Sequence, residues 1–354
     1  HFTRAPRNCQ IETNFNRNSS PLNKGVFATT AKSGSLRKCM RQVSGTPFSW
    51  AYLGQSIGDF RRIQRCFEGQ GNYLDTTERF HQAAEDLREP YLIYLYQMGR
   101  KLNSLNWWIT SLSHRNGHTS KTFHQACYLR VALGLAQNIK ANQTLVLVSD
   151  LPVLRALKDN LAEDKSVEVR GTGTQRNPGL RLIKDVLRML AHRAFFVFRE
   201  GGRIVRSRSI ISDPYIPSTD TTVLVSWMTP GNFDQGEEFH RSFFGDLAEK
   251  LGQLGCRIAI SPIILRQVQY GKALQRLKDW SLPVIVPHRY LSVFSFVRLV
   301  VASTHRPPRP RIIPALCGME IKELVEEDLR VHWISNGGAD AMLMASVVRR
   351  WAEL

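Results

Sequence analysis

At 354 residues, 43% hydrophobic and 22% charged, the chain has ordinary globular composition and is long enough for two domains with sizeable cores. Forty-eight Lys and Arg against 30 Asp and Glu leave a formal charge of +18, which favours polyanionic company: nucleic acid, an anionic membrane surface or phosphorylated ligands. No apolar run reaches the ~18 residues of a membrane span, and the six cysteines show neither Cys-x-x-Cys pairs nor zinc-finger His spacing, which sets aside a structural zinc site and a disulfide framework.

Residues 1–47 hold Arg4, Arg7, Arg17, Lys24, Lys32, Arg37, Lys38 and Arg41 against the single acid Glu12, without a sustained apolar period. They are expected to form a disordered basic arm. From Thr76 to Leu105 the pattern is helical, with Phe80, Ala83, Ala84 and Leu87 on one face and a break expected at Pro90. Trp107 and Trp108 then precede a polar segment holding Ser113, His114, Arg115 and Asn116. On residue types alone two readings stay open: a loop that brings polar groups to a cleft wall, or two core anchors followed by a surface connection.

A helix from Phe123 towards Ile139 leads to Thr144–Asp150, a continuously apolar run ending in Ser-Asp. That is the pattern of a buried parallel strand reaching the carboxyl edge of its sheet, where open α/β sheets bind ligands. Asp150 suits a general base there and equally a cap for the next helix, Leu151 to Leu161. Ser166 to Arg170 reads as a short strand. The following Gly171-Thr172-Gly173 loop has Arg176 where a dinucleotide fingerprint needs its third glycine, so it reads as a connection. Leu182 to Glu200 is the most amphipathic stretch, with Arg181, Lys184, Arg188 and Arg193 around its apolar side. It fits either a helix on an anionic bilayer surface or a core helix with a solvated basic face.

Ser212 to Thr219 is rich in turn formers and reads as a linker. Beyond it, expected strands at Thr222–Trp227, Arg257–Ile264, Pro283–Val286, Arg311–Ala315 and Leu329–Ile334 alternate with helices at Glu237–Leu254, Arg266–Trp280, Leu291–Ala302 and Gly338–Leu354. This is the form of a doubly wound parallel sheet. His305 to Arg311 interrupts it as a stiff basic loop. Polar groups fall at the expected strand ends: Ser226, Trp227 and Asn232, then Ser261, then His288 and Arg289. Arg115 and Arg289 suit a diphosphate or ordinary ion pairs; His288 suits a catalyst or a satisfied polar group. No nucleophile elbow, P-loop or His-Glu-x-x-His occurs, which weakens hydrolase and NTPase readings.

Asn106-Trp107-Trp108-x-Thr110-Ser111 with Ser113-x-Arg115-Asn116, then Ser120-x-x-Phe123 and Cys127-Tyr128-Leu129, resembles the N-terminal signature of bacterial surface-carbohydrate (O-antigen-type) biosynthesis proteins. Val223 to Trp227, with Phe233-Asp234 and Phe243-Phe244-Gly245-Asp246-Leu247, is similar to the start of their second α/β region. The resemblance implies two Rossmann-like lobes of the GT-B glycosyltransferase kind and transfer of a sugar from a nucleotide donor to a lipid-linked or oligosaccharide acceptor. It implies Asp150 or His114 as base, and Trp107, Trp108, Ser113, Arg115, Asn116, Ser226, Trp227, Asn232, His288 and Arg289 around the substrates, with no metal or other cofactor required. It further implies a cytoplasmic setting, peripheral on the inner face of the membrane. The lobes are expected at 48–211 and 222–354, joined by a linker at 212–221. Family members continue past the position of Leu354, which leaves two alternatives, a fragment or an incomplete second lobe without catalysis. The competing classes are a nucleic-acid-binding protein, motivated by the charge but lacking a recognisable binding motif, and a non-catalytic partner in polysaccharide assembly.

Overall fold

The computed structural model describes residues 25–29, 48–114, 120–138, 144–164, 167–170, 178–211, 215–216, 218, 220–229, 246–265, 267–279, 282–305, 313–335 and 337–352. They form an α/β protein with small parallel sheets and two compact units that interleave along the chain. The first unit takes residues 1–91, 122–174 and 313–324, and the second takes 92–121, 175–312 and 325–354. This division differs from a cut at a 212–221 linker. Helices Thr77–Leu102 and Lys322–Ile334 each begin in the first unit and end in the second.

The first unit is built on a five-stranded parallel sheet. Its strands are β1 (Gly25–Thr29), β2 (Phe48–Leu53), β3 (Gly71–Tyr73), β4 (Thr144–Val148) and β5 (Val167–Arg170), in the order β3-β2-β4-β1-β5. β4 is buried at every position, as its unbroken apolar run requires for a strand covered on both faces. β1 corrects the expectation of an arm over 1–47: its five residues pair in parallel with β4 on one side and β5 on the other, and Val26 is buried. Two neighbouring ladders supply the backbone partners that so short a segment cannot supply for itself. The rest of that span lies outside the described residues. Helix α1 (Ile57–Phe67), capped by the Ser56 hydroxyl accepting from the Asp59 N–H, sets Ile63 and Phe67 on Phe48, Trp50, Tyr52 and Leu147. Helix α2 (Thr77–Leu102) runs through Pro90, so the expected break is absent; the buried side chains of Leu87, Tyr91, Tyr94, Leu95 and Met98 outweigh the one backbone bond that proline removes.

In the second unit β6 (Thr221–Met228) and β7 (Arg257–Ile264) pair in parallel over their whole length. The expected strand at Pro283–Val286 is reduced to a bridge between Val284 and Ile260. The strand expected at Leu329–Ile334 is the end of helix Lys322–Ile334, whose helical period is hidden there by the alternation of Arg330 and His332 with apolar neighbours. Residues 313–315 of the strand expected at Arg311–Ala315 form no strand. Two cores result: Met228, Ile260, Ile264, Leu274 and Leu277 beneath the strands, and Phe196, Ile204, Phe296, Leu299, Leu343 and Val347 among the helices. Further helices in chain order are α3 (Leu105–Trp108), α4 (Thr122–Asn138), α5 (Leu151–Asn160), α6 (Pro178–Ile210), α7 (Leu247–Gln253), α8 (Tyr270–Lys278), α9 (Pro287–Tyr290), α10 (Val293–Thr304), α11 (Lys322–Ile334) and α12 (Gly337–Ala352), of which α6, α10 and α12 make the second core. Among the described residues no helix is long and apolar enough to cross a membrane.

Candidate functional site

Parallel strands end at a common edge, and in each unit that edge gathers polar groups. In the first unit Leu53 and Val148 stand in register at the ends of β2 and β4, and the Ser149 N–H donates to the Leu53 carbonyl at 2.9 Å. Asp150 follows at the N-cap position of helix Leu151–Asn160, yet its side chain makes no capping bond. Capping therefore does not account for this carboxylate. Around it stand two tyrosines: Tyr52, whose hydroxyl donates to the Ser56 carbonyl at 3.3 Å, and Tyr128. Burial, then the charge of Asp150 and the nearby Tyr52 and Cys127, push the Tyr128 hydroxyl up to about 12. Burial also raises Tyr52, with Asp59 and Asp150 adding to it, and lifts the Cys127 thiol to about 12, which removes that sulfur as a nucleophile at neutral pH.

The second unit has the more elaborate arrangement. Glu200 stands on the inner face of α6, its side chain 1% exposed. Its Oε2 lies 2.6 Å from His288 Nε2, and His288 Nδ1 lies 3.0 Å from the Tyr270 hydroxyl. His288 belongs to α9, just past the bridge at Val284, and Tyr270 opens α8, just past β7, so both follow the carboxyl ends of parallel segments. Burial by itself would raise the Glu200 pKa. The hydrogen bond and charge of His288, with the charges of Arg203 and Arg199, reverse that and hold it at about 2. An ionised carboxylate only accepts, so the imidazole proton sits on Nε2 and, in the neutral ring, Nδ1 accepts the Tyr270 hydroxyl. Burial raises the Tyr270 pKa, which keeps that hydroxyl protonated.

These groups line a cavity of about 130 Å³ with Arg199, Arg203, Asp340 and the apolar side chains of Ile264, Val286, Leu343 and Val347. Arg199 bonds Glu200 and Asp340, while Arg203 reaches Glu200 and the Ile264 carbonyl and lies 5.0 Å above the Tyr270 ring. Each guanidinium uses only part of its five N–H donors in these bonds. The array has the donor and acceptor order of a proton relay, in which Tyr270 would pass its proton to His288 as it takes one from a bound group and Glu200 would stabilise the imidazolium so formed.

Among the described residues expected to form a site, only His288 lines this cavity. Arg289, its neighbour, turns away and donates from Nε to the Ile211 carbonyl at 2.9 Å. Trp107 is fully buried and Trp108 is partly exposed. The Ser113 hydroxyl is satisfied by the carbonyls of Trp108 and Thr110. The segment is held by the second unit's own residues, with Ser111 Oγ and Ser120 Oγ on the two oxygens of Asp328 at 3.0 and 2.5 Å. Of the two readings of this segment, buried Trp107 and the bonded hydroxyls of Ser111 and Ser113 match the core anchor with a surface connection, while Trp108 is exposed. His114 is exposed and away from the cavity. Trp227 is exposed on β6 and lines no part of the cavity, since alternation in the strand turns it away from buried Met228. Ser226 lies in β6 with its side chain outside the description, and Arg115, Asn116 and Asn232 lie outside the described residues.

Glu200, Tyr270, Arg199 and Arg203 were not picked out from the sequence. One signal was available for Glu200: Asp185, Arg193 and Glu200 recur on the helix side that also holds Met189, Phe196 and Ile204, where a charge must find a partner. Among the described residues no group of three His, Cys, Asp or Glu is placed to hold a metal ion. No protein-family model, no curated protein and no solved structure matches the chain.

Proposed function

We propose that the protein is a glycosyltransferase-like enzyme of surface-polysaccharide assembly, with two lobes of the GT-B kind, acting at the inner face of the membrane on a lipid-linked or oligosaccharide acceptor. The observation that supports a group-transfer reading is the Tyr270–His288–Glu200 relay opening on one cavity with Arg199 and Arg203. The relay takes the base role expected of Asp150 or His114. The acceptor hydroxyl gives its proton to the Tyr270 oxygen as Tyr270 gives its own to His288 Nδ1. The acceptor oxygen forms the bond to the anomeric carbon, and the nucleoside diphosphate leaves with the electron pair. The spare N–H donors of Arg199 and Arg203 face the charge that develops on that leaving group. At about 130 Å³ the cavity suits the reacting portion of the donor and not a whole nucleotide sugar, which needs roughly 300 Å³ or more.

The test is release of nucleoside diphosphate from a panel of nucleotide sugars, with and without oligosaccharide acceptors. Acceptor-dependent release that Tyr270→Phe lowers by about 10²- to 10⁴-fold is expected. Release absent from the whole panel, or unchanged in Tyr270→Phe, contradicts the reading.

A further inference from the structure

Helix α6 buries Asp185, Arg193, Glu200 and Ser207 beside Met189, Phe196 and Ile204, while Leu180, Ile183, Leu187, Leu190, Phe198 and Val205 are exposed, Phe198 by 83%. The buried charges are matched: Asp185 receives Arg330 at 2.9 Å, Glu200 receives His288, and Arg193 donates to the carbonyls of Ser303, Trp333 and Ser335 near two helix ends. At 100° per residue these six, with Val197, fall in one sector about 100° wide, a stripe about 38 Å long from Leu180 to Val205, with exposed Leu182 and Phe195 outside it. Contiguous apolar surface of this extent marks an interaction face.

Charge decides what covers it. The acids of α6, Asp185 and Glu200, are both buried and paired, while Lys184, Arg188 and Arg206 are exposed beside the stripe. Two copies packed stripe to stripe would bring these cations together with no carboxylate of the helix to answer them. An anionic bilayer supplies both an apolar layer for the stripe and phosphates for the cations. We propose that α6 lies in the plane of an anionic phospholipid interface, its Leu180–Val205 stripe among the acyl chains and Lys184, Arg188 and Arg206 at the headgroups. This deepens the membrane setting of the transfer reading and does not depend on its chemistry. The same helix carries Glu200 on its inner side, which places the relay one helix thickness from the lipid.

The experiment is co-sedimentation of the full chain with vesicles of phosphatidylcholine alone and of phosphatidylcholine mixed with phosphatidylglycerol, with size-exclusion chromatography of the free protein. Binding at least about tenfold tighter to the anionic vesicles is expected, weakened about tenfold or more by Lys184→Glu with Arg188→Glu and by added salt. Ile183→Asp with Leu187→Asp should abolish binding while circular dichroism and thermal unfolding stay those of the unaltered chain, because both positions are exposed. Transfer to a water-soluble oligosaccharide should persist in that variant, which separates failure of docking from failure of the enzymatic reading. Equal affinity for the two vesicle types, binding that survives Ile183→Asp with Leu187→Asp, or a dimer that this variant splits overturns the proposal.

Discussion

Asp150 follows the carboxyl end of β4 and Glu200 sits within helix α6, each with a tyrosine close by, yet they stand in opposite surroundings. Asp150 is partly exposed, at the head of a helix it does not cap, with no hydrogen-bond partner among the described residues. Glu200 is buried and bonded to His288, Arg199 and Arg203. The first is a half-buried carboxylate that adds to the burial raising its tyrosine neighbours; the second is a charge taken out of water and repaid by three cationic or polarisable partners. A strand end brings the carboxylate in the first unit and a helix brings it in the second, and among the described residues only the second unit builds the oriented donor and acceptor chain that proton transfer needs.

The largest expected effects break this contrast at Glu200. Glu200→Leu leaves His288 Nε2 and two guanidinium groups without their buried acceptor and should cost about 3–5 kcal/mol in denaturant unfolding, whereas Asp150→Asn should stay within about 0.5 kcal/mol. Equal losses at the two positions would remove the distinction.

Next in size is a pH effect confined to the second unit. Burial, with His114 and Arg193 nearby, pushes His332 down to about 4 from an ordinary 6.5. The unfolded chain takes up this proton first as pH falls, so folding stability should drop between about pH 6.5 and 4, by up to about 3 kcal/mol. His332→Gln should flatten that slope, while the first unit's Tyr52, Cys127 and Tyr128, all pushed upward, contribute nothing in this window. A slope retained in His332→Gln would place the titrating group elsewhere.

A smaller effect sharpens the picture of the first unit's edge. A Cβ on Gly54 would meet the Ser149 hydroxyl and sit 2.6 Å from the Tyr52 oxygen, so Gly54→Ala should cost about 1–3 kcal/mol through displacement of those groups. A neutral result would mean that this edge is loosely packed.

How much of this was legible in the sequence depends on where each residue finds its partner. β4 and β7 read correctly because their apolar, β-branched runs are complete local signals. β1 did not: Gly25–Thr29 is short, lies among polar residues, and gains strand character from partners over a hundred positions away. Leu329–Ile334 resembles a strand because Arg330 and His332 alternate with Leu329, Val331 and Trp333, a period of two that a six-residue window cannot tell from a helix. His288 was found by its place after an apolar segment. Tyr270 was not, since nothing local to Gln269-Tyr270-Gly271 announces an imidazole eighteen residues on. For the Trp107–Trp108 segment residue types leave two readings open, and the bonds of Ser113 to backbone and of Ser111 and Ser120 to Asp328, a partner that no local pattern names, favour the anchoring one.

The most direct test compares acceptor-dependent sugar transfer, at saturating donor, in the unaltered chain, Tyr270→Phe and Asp150→Asn. Tyr270→Phe keeps the ring packed and removes only the relay's outer oxygen. The account predicts a fall of about 10²- to 10⁴-fold for Tyr270→Phe and a change of no more than about twofold for Asp150→Asn. A large loss in Asp150→Asn with Tyr270→Phe unaffected would contradict it and move the chemistry to the edge of the first unit's sheet.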